Sequence, residues 1–152
     1  MEYRETVAVP LWWLIVGGLF CISTALVFLV WKGPEWAVLV LVGLTALIGT
    51  WMASMSYRVQ VDRDGIRVGR GLLEWPWVGG AVALSRAETE AQSGPEADVR
   101  AWFRLPPYTQ RAVRIEIDDP QDPHPHWLVG TRRPEEFAAA VRAGVEEYHH
   151  AE

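Results

Sequence analysis

The sequence predicts two joined parts. Two apolar helices form a membrane α-helical hairpin near the N-terminus, and an α+β domain follows, a β-roll or split barrel of about seven short strands closed by a C-terminal helix. Three observations predict this. The runs Pro10–Trp31 and Trp36–Ser56 hold 22 and 21 residues without a charge. Charged residues are spread through everything after Arg58. From Tyr57 onward the apolar residues alternate, the spacing of half-buried strands.

A helix needs about 20 apolar residues to cross a hydrocarbon core of about 30 Å, and both runs reach that length. Both are apolar all round, unlike the one-sided stripe of a helix packed on a soluble core. The first run is too long for a signal peptide, and Val30-Trp31-Lys32-Gly33-Pro34 lacks a small-residue cleavage site. Trp12, Trp13, Trp31, Trp36 and Trp51 lie at or near the ends of the runs, with Tyr3 and Tyr57 just outside. Such rings favour the headgroup level. The connection Lys32-Gly33-Pro34-Glu35 carries a Gly-Pro turn signal, so the spans (about 10–31 and 36–56) are expected to be antiparallel neighbours.

Arg4 precedes the first span, and Arg58, Arg63, Arg67 and Arg70 follow the second, against Lys32 alone in the loop. The positive-inside bias then places both termini in the cytoplasm of a multi-pass plasma-membrane protein. No ionisable residue lies inside either span, which argues against a pump or transporter built from this chain alone. Gly17, Cys21 and Ala25 recur every four residues, as do Thr45, Gly49 and Ala53. Small residues let helix backbones approach closely. The two stripes are expected to face each other; the alternative is contact with another chain. Cys21 is the one cysteine, so no intrachain disulfide forms. Thirteen arginines against one lysine, with much Ala, Val and Gly, point to a G+C-rich genome.

Residues 57–152 read as a β-rich domain. Tyr57–Asp62 alternates, Asp62-Arg-Asp-Gly65 turns, and Ile66–Gly69 is a second strand. Leu72–Val78 and Ala81–Leu84 follow, interrupted by Pro76 and Gly79-Gly80. Ser85–Val99 reads as a loop with a short helix over Arg86–Ala91. Ala101–Leu105, Ala112–Asp118 and His126–Gly130 complete the set. Thr131 is placed to cap a helix over about 134–148, with Pro134, Glu135 and Glu136 in its first turn and Gly144 as a weak point.

The chain resembles a family of actinobacterial membrane proteins of unknown function, DUF3093. The matching residues are Tyr3-Arg-Glu5 with Val9-Pro10-Leu-Trp-Trp13, Gly94-Pro-Glu-Ala-Asp98, Arg111-Ala-Val-Arg114 and Trp127-Leu-Val-Gly-Thr-Arg-Arg-Pro134. The resemblance implies no activity. Residues from Tyr57 onward are more distantly similar to bacterial PH-like domains, in Asp64-Gly-Ile66, Trp75-Pro-Trp77 and the strand running into Thr131-Arg-Arg-Pro134. That similarity implies a fold rather than a ligand.

Candidate chemistry is sparse. Asp118, Asp122, His124 and His126 are metal-ligand types within nine residues, but interleaved prolines describe a solvated loop equally well. Arg100, Arg104, Arg111 and Arg114 lie among Trp102, Phe103 and Tyr108, and Arg132 and Arg133 precede the last helix. Each group could take an anion or lipid headgroup. Twelve arginines against 16 acids in residues 57–152 make nucleic acid an unsuitable partner. Trp75-Pro-Trp77 fits core packing or an exposed contact. No catalytic motif and no cofactor site is recognisable. The expected function is a non-catalytic, membrane-anchored interaction module or accessory subunit, with the bilayer and a protein partner or second copy as its contacts. The alternatives are a lipid-headgroup-binding domain and, behind it, a metal-dependent enzyme.

Overall fold

A computed structural model describes residues 3–151 as two compact units: a hairpin, Ala8–Ser56, and a β domain built from the chain on either side of it. Strand Tyr3–Val7 therefore groups with the β domain, where the sequence reading divides the chain at 56/57, with an N-terminal segment and the hairpin over 1–56 and the β-rich domain over 57–152.

The hairpin comprises α1 (Leu11–Lys32) and α2 (Pro34–Met55). Gly33 joins them at φ +99°, a conformation that L side chains rarely adopt, and its N–H donates to the Phe28 carbonyl. Pro34 fills the first turn of α2, where a missing N–H is harmless. The hydroxyls of Thr24, Thr50 and Ser54 donate to the carbonyls of Phe20, Ala46 and Trp51, each on its own helix. Both helices are long and apolar enough to cross a membrane.

Cys21 and Ala25 are buried against α2, and a Cβ on Gly17 would lie 3.2 Å from Met52 Cε and 3.3 Å from Ile48 Cγ2. The stripe on α2 points elsewhere. Thr45, Gly49 and Ala53 are exposed, and nothing stands within 4 Å of a Cβ at Gly49. Small side chains on α1 thus meet large ones on α2, a correction to the expected small-on-small pairing. The depth of pairing is as the turn dictates, but α2 is rotated by about 100°, one residue position. The long side chains of Ile48 and Met52 fill the groove that the small residues leave, as close packing favours.

Among the described residues the β domain has eight strands in two four-stranded sheets. The first sheet runs β1 (Tyr3–Val7), β2 (Tyr57–Val61), β3 (Gly65–Val68), β4 (Gly71–Glu74), all antiparallel. β1 is a strand beyond the expected seven. It pairs with β2 from Tyr3↔Val61 to Val7↔Tyr57. Gly65, at φ +145°, is indispensable to this sheet, since a Cβ there would lie 2.1 Å from the Leu73 carbonyl oxygen.

β4 stops at Glu74, short of the expected Leu72–Val78 strand, because Pro76 has no N–H for a ladder. Trp75–Trp77 instead form a 3₁₀ turn. Trp75 is buried and its indole N–H donates to the carbonyls of Asp62 and Arg63, both at 3.1 Å; Trp77 is exposed. One tryptophan is therefore core and the other surface.

The second sheet orders β5 (Val78–Leu84), β7 (Ala112–Ile117), β8 (His126–Gly130) and β6 (Trp102–Arg104), with β6 parallel to β8. Gly79-Gly80 do not break β5 but carry an irregularity between Val78 and Gly80. α3 (Arg86–Ser93) opens with a capping box: Glu88 N–H donates to Ser85 Oγ, and Ser85 N–H to the Glu88 carboxylate. α4 (Pro134–Ala151) extends past the expected end at Tyr148.

The core joins both sheets and α4 through Val59, Ile66, Ile115, Val129, Phe137 and Val141, all essentially inaccessible. Burying a side chain such as Phe137 contributes roughly 1.5–3 kcal/mol. Gly144 is a close-packing position rather than a weak point, since a Cβ there would lie 2.1 Å from Trp75 Cη2. Leu84, Ala112 and Leu128, with Leu105 against them, form a smaller cluster.

Candidate functional site

Alternation along β1 turns Tyr3, Glu5 and Val7 inward and Arg4 and Thr6 outward. The inward Glu5 meets the junction between β8 and α4. Its carboxylate accepts from the Thr131 hydroxyl, from the Arg132 N–H at 3.1 Å and from the Tyr3 hydroxyl at 2.8 Å. Thr131 is 1% exposed, so its hydroxyl needs such a partner. That hydroxyl also accepts from the Arg133 N–H, one residue ahead of the first helical turn expected for it. The Tyr3 ring stacks on Phe137 of α4 at 5.4 Å.

Tyr57, the first residue after the hairpin, completes the arrangement. Its hydroxyl lies against the Gly130 and Arg104 carbonyls. The Arg104 guanidinium stands 5.1 Å from the centre of its ring. The Tyr108 hydroxyl donates to the Val7 carbonyl at 3.4 Å. Val7 and Tyr57, the two residues where the β domain meets the hairpin, are thus held by β6, β8 and the segment between them. Burial pushes the Tyr57 phenol above its ordinary pKa; burial and then the Glu5 carboxylate do the same for Tyr3. These are clamping hydroxyls kept neutral.

The other sequence candidates disperse. Asp122 and His124 pair with each other, Asp122 Oδ1 to His124 Nδ1 at 2.8 Å, and the His124 N–H holds the Asp122 carboxyl below its usual range. Asp118 instead borders a cleft of about 380 Å³ with Trp75, Gly79, Tyr148 and His149. His126 stands in a third place, opposite Glu116 across the β7–β8 ladder. Among the described residues no three His, Cys, Asp or Glu side chains could hold one metal ion, and these candidate ligand types are not brought together. The strand reversal into β8 separates them.

Nor do the arginines form one patch. Arg100 pairs with Asp98 at 3.4 Å, Arg111 with Glu135 at 3.6 Å, Arg114 with Glu116 at 3.4 Å and Arg133 with Glu136 at 3.5 Å. Arg104 and Arg132 belong to the clamp. On the second sheet, Val82, Arg114, Leu128 and Phe103 form one row across the strands. Leu128 is covered, whereas Val82 and Phe103, at the two edges, are exposed. Burial and then Arg114 push the nearby His126 imidazole below its ordinary pKa, against the pull of Asp98 and Glu116.

Glu5, Tyr57 and Thr131 were not singled out together from the sequence. The signal was present: Tyr3-Arg-Glu5 and Thr131-Arg-Arg-Pro134 are two stretches that carry the family resemblance, and they bond each other across the whole chain. No curated protein and no solved structure matches the chain. Residues 2–141 match the family described as protein of unknown function DUF3093, and the chain belongs to that family.

Proposed function

We propose that this chain is a membrane-anchored, non-catalytic interaction module at the cytoplasmic face of the plasma membrane. Its hairpin spans the bilayer twice, and its β domain, PH-like in plan, docks a protein partner. The observation that carries this reading is the insertion of the hairpin between two paired strands. Val7 leaves β1 and Tyr57 enters β2 as direct partners in one ladder. Both ends of the hairpin therefore leave from one side, and two spans is the arrangement that returns a chain to that side.

The hairpin's own surface supports membrane residence. Only 11% and 6% of the apolar windows of α1 and α2 are buried, where a core helix of a soluble protein is mostly buried. Arg4 and Arg58 flank it on that one side, as the positive-inside bias requires for a cytoplasmic domain. The antiparallel run β1–β4, a second sheet and a terminal helix support the PH-like reading. Val82, Phe103 and the 95% exposed Val99 offer apolar contacts for a partner.

The test is mild-detergent extraction of the full chain from its native membrane after light crosslinking, followed by mass spectrometry. A stoichiometric companion that is lost from a Val82→Asp, Phe103→Asp variant supports the docking reading. Recovery of the chain with lipid alone, or a companion indifferent to that variant, sinks it.

A further inference from the structure

One cleft of the β domain carries a charged wall that the clamp does not use. It measures about 380 Å³ and lies where the Trp75–Trp77 turn, the start of β5, the end of β7 and the last turns of α4 meet. Its frame is fixed on two sides. The Trp75 indole is held by two carbonyls and abuts the α4 backbone at Gly144, and the Asp118 N–H donates to the Trp77 carbonyl at 3.0 Å. The Asp118 carboxylate lies over Gly79, where a Cβ would stand 2.7 Å from Oδ2. The β5–β7 ladder is irregular between Val78 and Gly80, and such irregularities re-aim neighbouring side chains. Glycine at 79 thus makes room for the carboxylate at the cleft wall. Among the described residues no hydrogen bond or ion pair engages that carboxylate, and no arginine or lysine lines the cleft. His149 contributes a second acceptor. Its Nδ1 lies 2.8 Å from the Val145 carbonyl, which only accepts, so Nδ1 carries the proton and Nε2 of the neutral ring keeps its lone pair.

We infer that this cleft binds an organic cation, a guanidinium or primary ammonium head on an aliphatic stem. A carboxylate without a cation, beside an imidazole nitrogen that accepts, takes the N–H groups of such a head. Trp75 and Tyr148 add aromatic surface, which attracts the same charge. Pro76, Val78 and Val145 give the stem an apolar wall. A metal ion would find only two protein ligands here, Asp118 and His149, fewer than a bound ion takes. The head occurs both on free amines and on the side chains of proteins. The cleft lies wholly within the β domain and shares no residue with Val82 or Phe103, so it binds or fails to bind whatever that row docks.

The full chain in nonionic detergent is titrated calorimetrically with butylguanidinium, against blank micelles, at about pH 8, where an imidazole is neutral. Butylurea, neutral and of the same shape, is the control. Saturable binding of butylguanidinium and none of butylurea is expected. Asp118→Asn should weaken binding by about 10-fold or more, as loss of a charged hydrogen-bond acceptor does. Gly79→Ala keeps every charge and displaces only the carboxylate end of Asp118, and it should weaken binding several-fold. Asp119→Asn, outside the cleft lining, should leave it unchanged. Melting temperatures check that each variant is folded. A capped Gly-Arg-Gly peptide that binds as well as butylguanidinium supports a protein side chain as the source of the head; its exclusion, with butylguanidinium still bound, supports a free amine. Equal binding of butylurea makes the cleft an apolar hollow and overturns the cation site. So does a wild type that binds neither compound, or an Asp118→Asn variant weakened no more than Asp119→Asn, the mark of a diffuse acidic field.

Discussion

Glu5 holds three donors from two distant stretches of chain, so its carboxylate is the residue on which the clamp turns. Hydrogen bonds to a charged group contribute about 1.5–3 kcal/mol each, and their loss leaves the O–H of the buried Thr131 without its Glu5 acceptor. Glu5→Ala is expected to destabilise the β domain by about 2–3 kcal/mol. In a double-mutant cycle with Thr131→Val, denaturant unfolding should show coupling on the order of 1 kcal/mol. Additive effects would mean that the two residues act separately. His126 sets a pH dependence. Its folded pKa is depressed by burial and by Arg114, so the folded state takes up the proton less readily than the unfolded chain. The associated stability is complete above the ordinary imidazole value of about 6.5 and is lost as pH falls through the folded value. From neutrality into mild acid, the melting temperature of the wild type should fall relative to that of His126→Gln, which has no imidazole to protonate. Parallel curves would remove His126 from the account.

Among the elements, α4 shows a packing need overriding helix propensity. Alanine is a better helix former than glycine by about 1 kcal/mol, yet a Cβ at position 144 meets the Trp75 ring at 2.1 Å. The ring is anchored by two carbonyls and has little freedom to withdraw. Gly144→Ala is therefore expected to lower stability by about 1–3 kcal/mol and to shift the tryptophan emission; a more stable variant would contradict this packing. The same contact shows what the sequence could and could not disclose. The apolar helices, the turn at Gly33 and the helix from Pro134 are written in local composition and spacing, and were legible. Gly144 read as a weak point because its partner lies far away in the chain. β1 was missed for a similar reason: five residues beside a long apolar run give a faint alternation, and their pairing partner lies beyond the whole hairpin. The rotation of α2 was illegible because small and large side chains are both apolar, and only packing decides which face turns inward. The metal-ligand types near Asp118 were local in sequence but are dispersed by the turn into β8, while the Glu5–Thr131 clamp was non-local and so went unread.

At the scale of the whole molecule, the hairpin is an insertion into a β-hairpin. Val7 and Tyr57 are neighbours in the ladder, so everything from Ala8 to Ser56 occupies the place of a turn. Residues 57–152 alone therefore lack an edge strand. They would expose the backbone of β2, leave Thr131 without Glu5, and uncover the ring of Phe137 that Tyr3 stacks upon. An uncovered strand edge pairs with other chains, so this fragment is expected to aggregate or to unfold at a markedly lower temperature. Joining Val7 to Tyr57 through a two-residue Asn-Gly turn, the chemistry that closes antiparallel strands tightly, should restore a soluble, cooperatively folding domain. Hydrogen exchange of the β2 amides that face β1 reads the difference, with protection in the joined chain and loss of it in the fragment. Equal protection in both would mean that β1 is dispensable. The hairpin would then be a separable appendage rather than a segment threaded through the β domain.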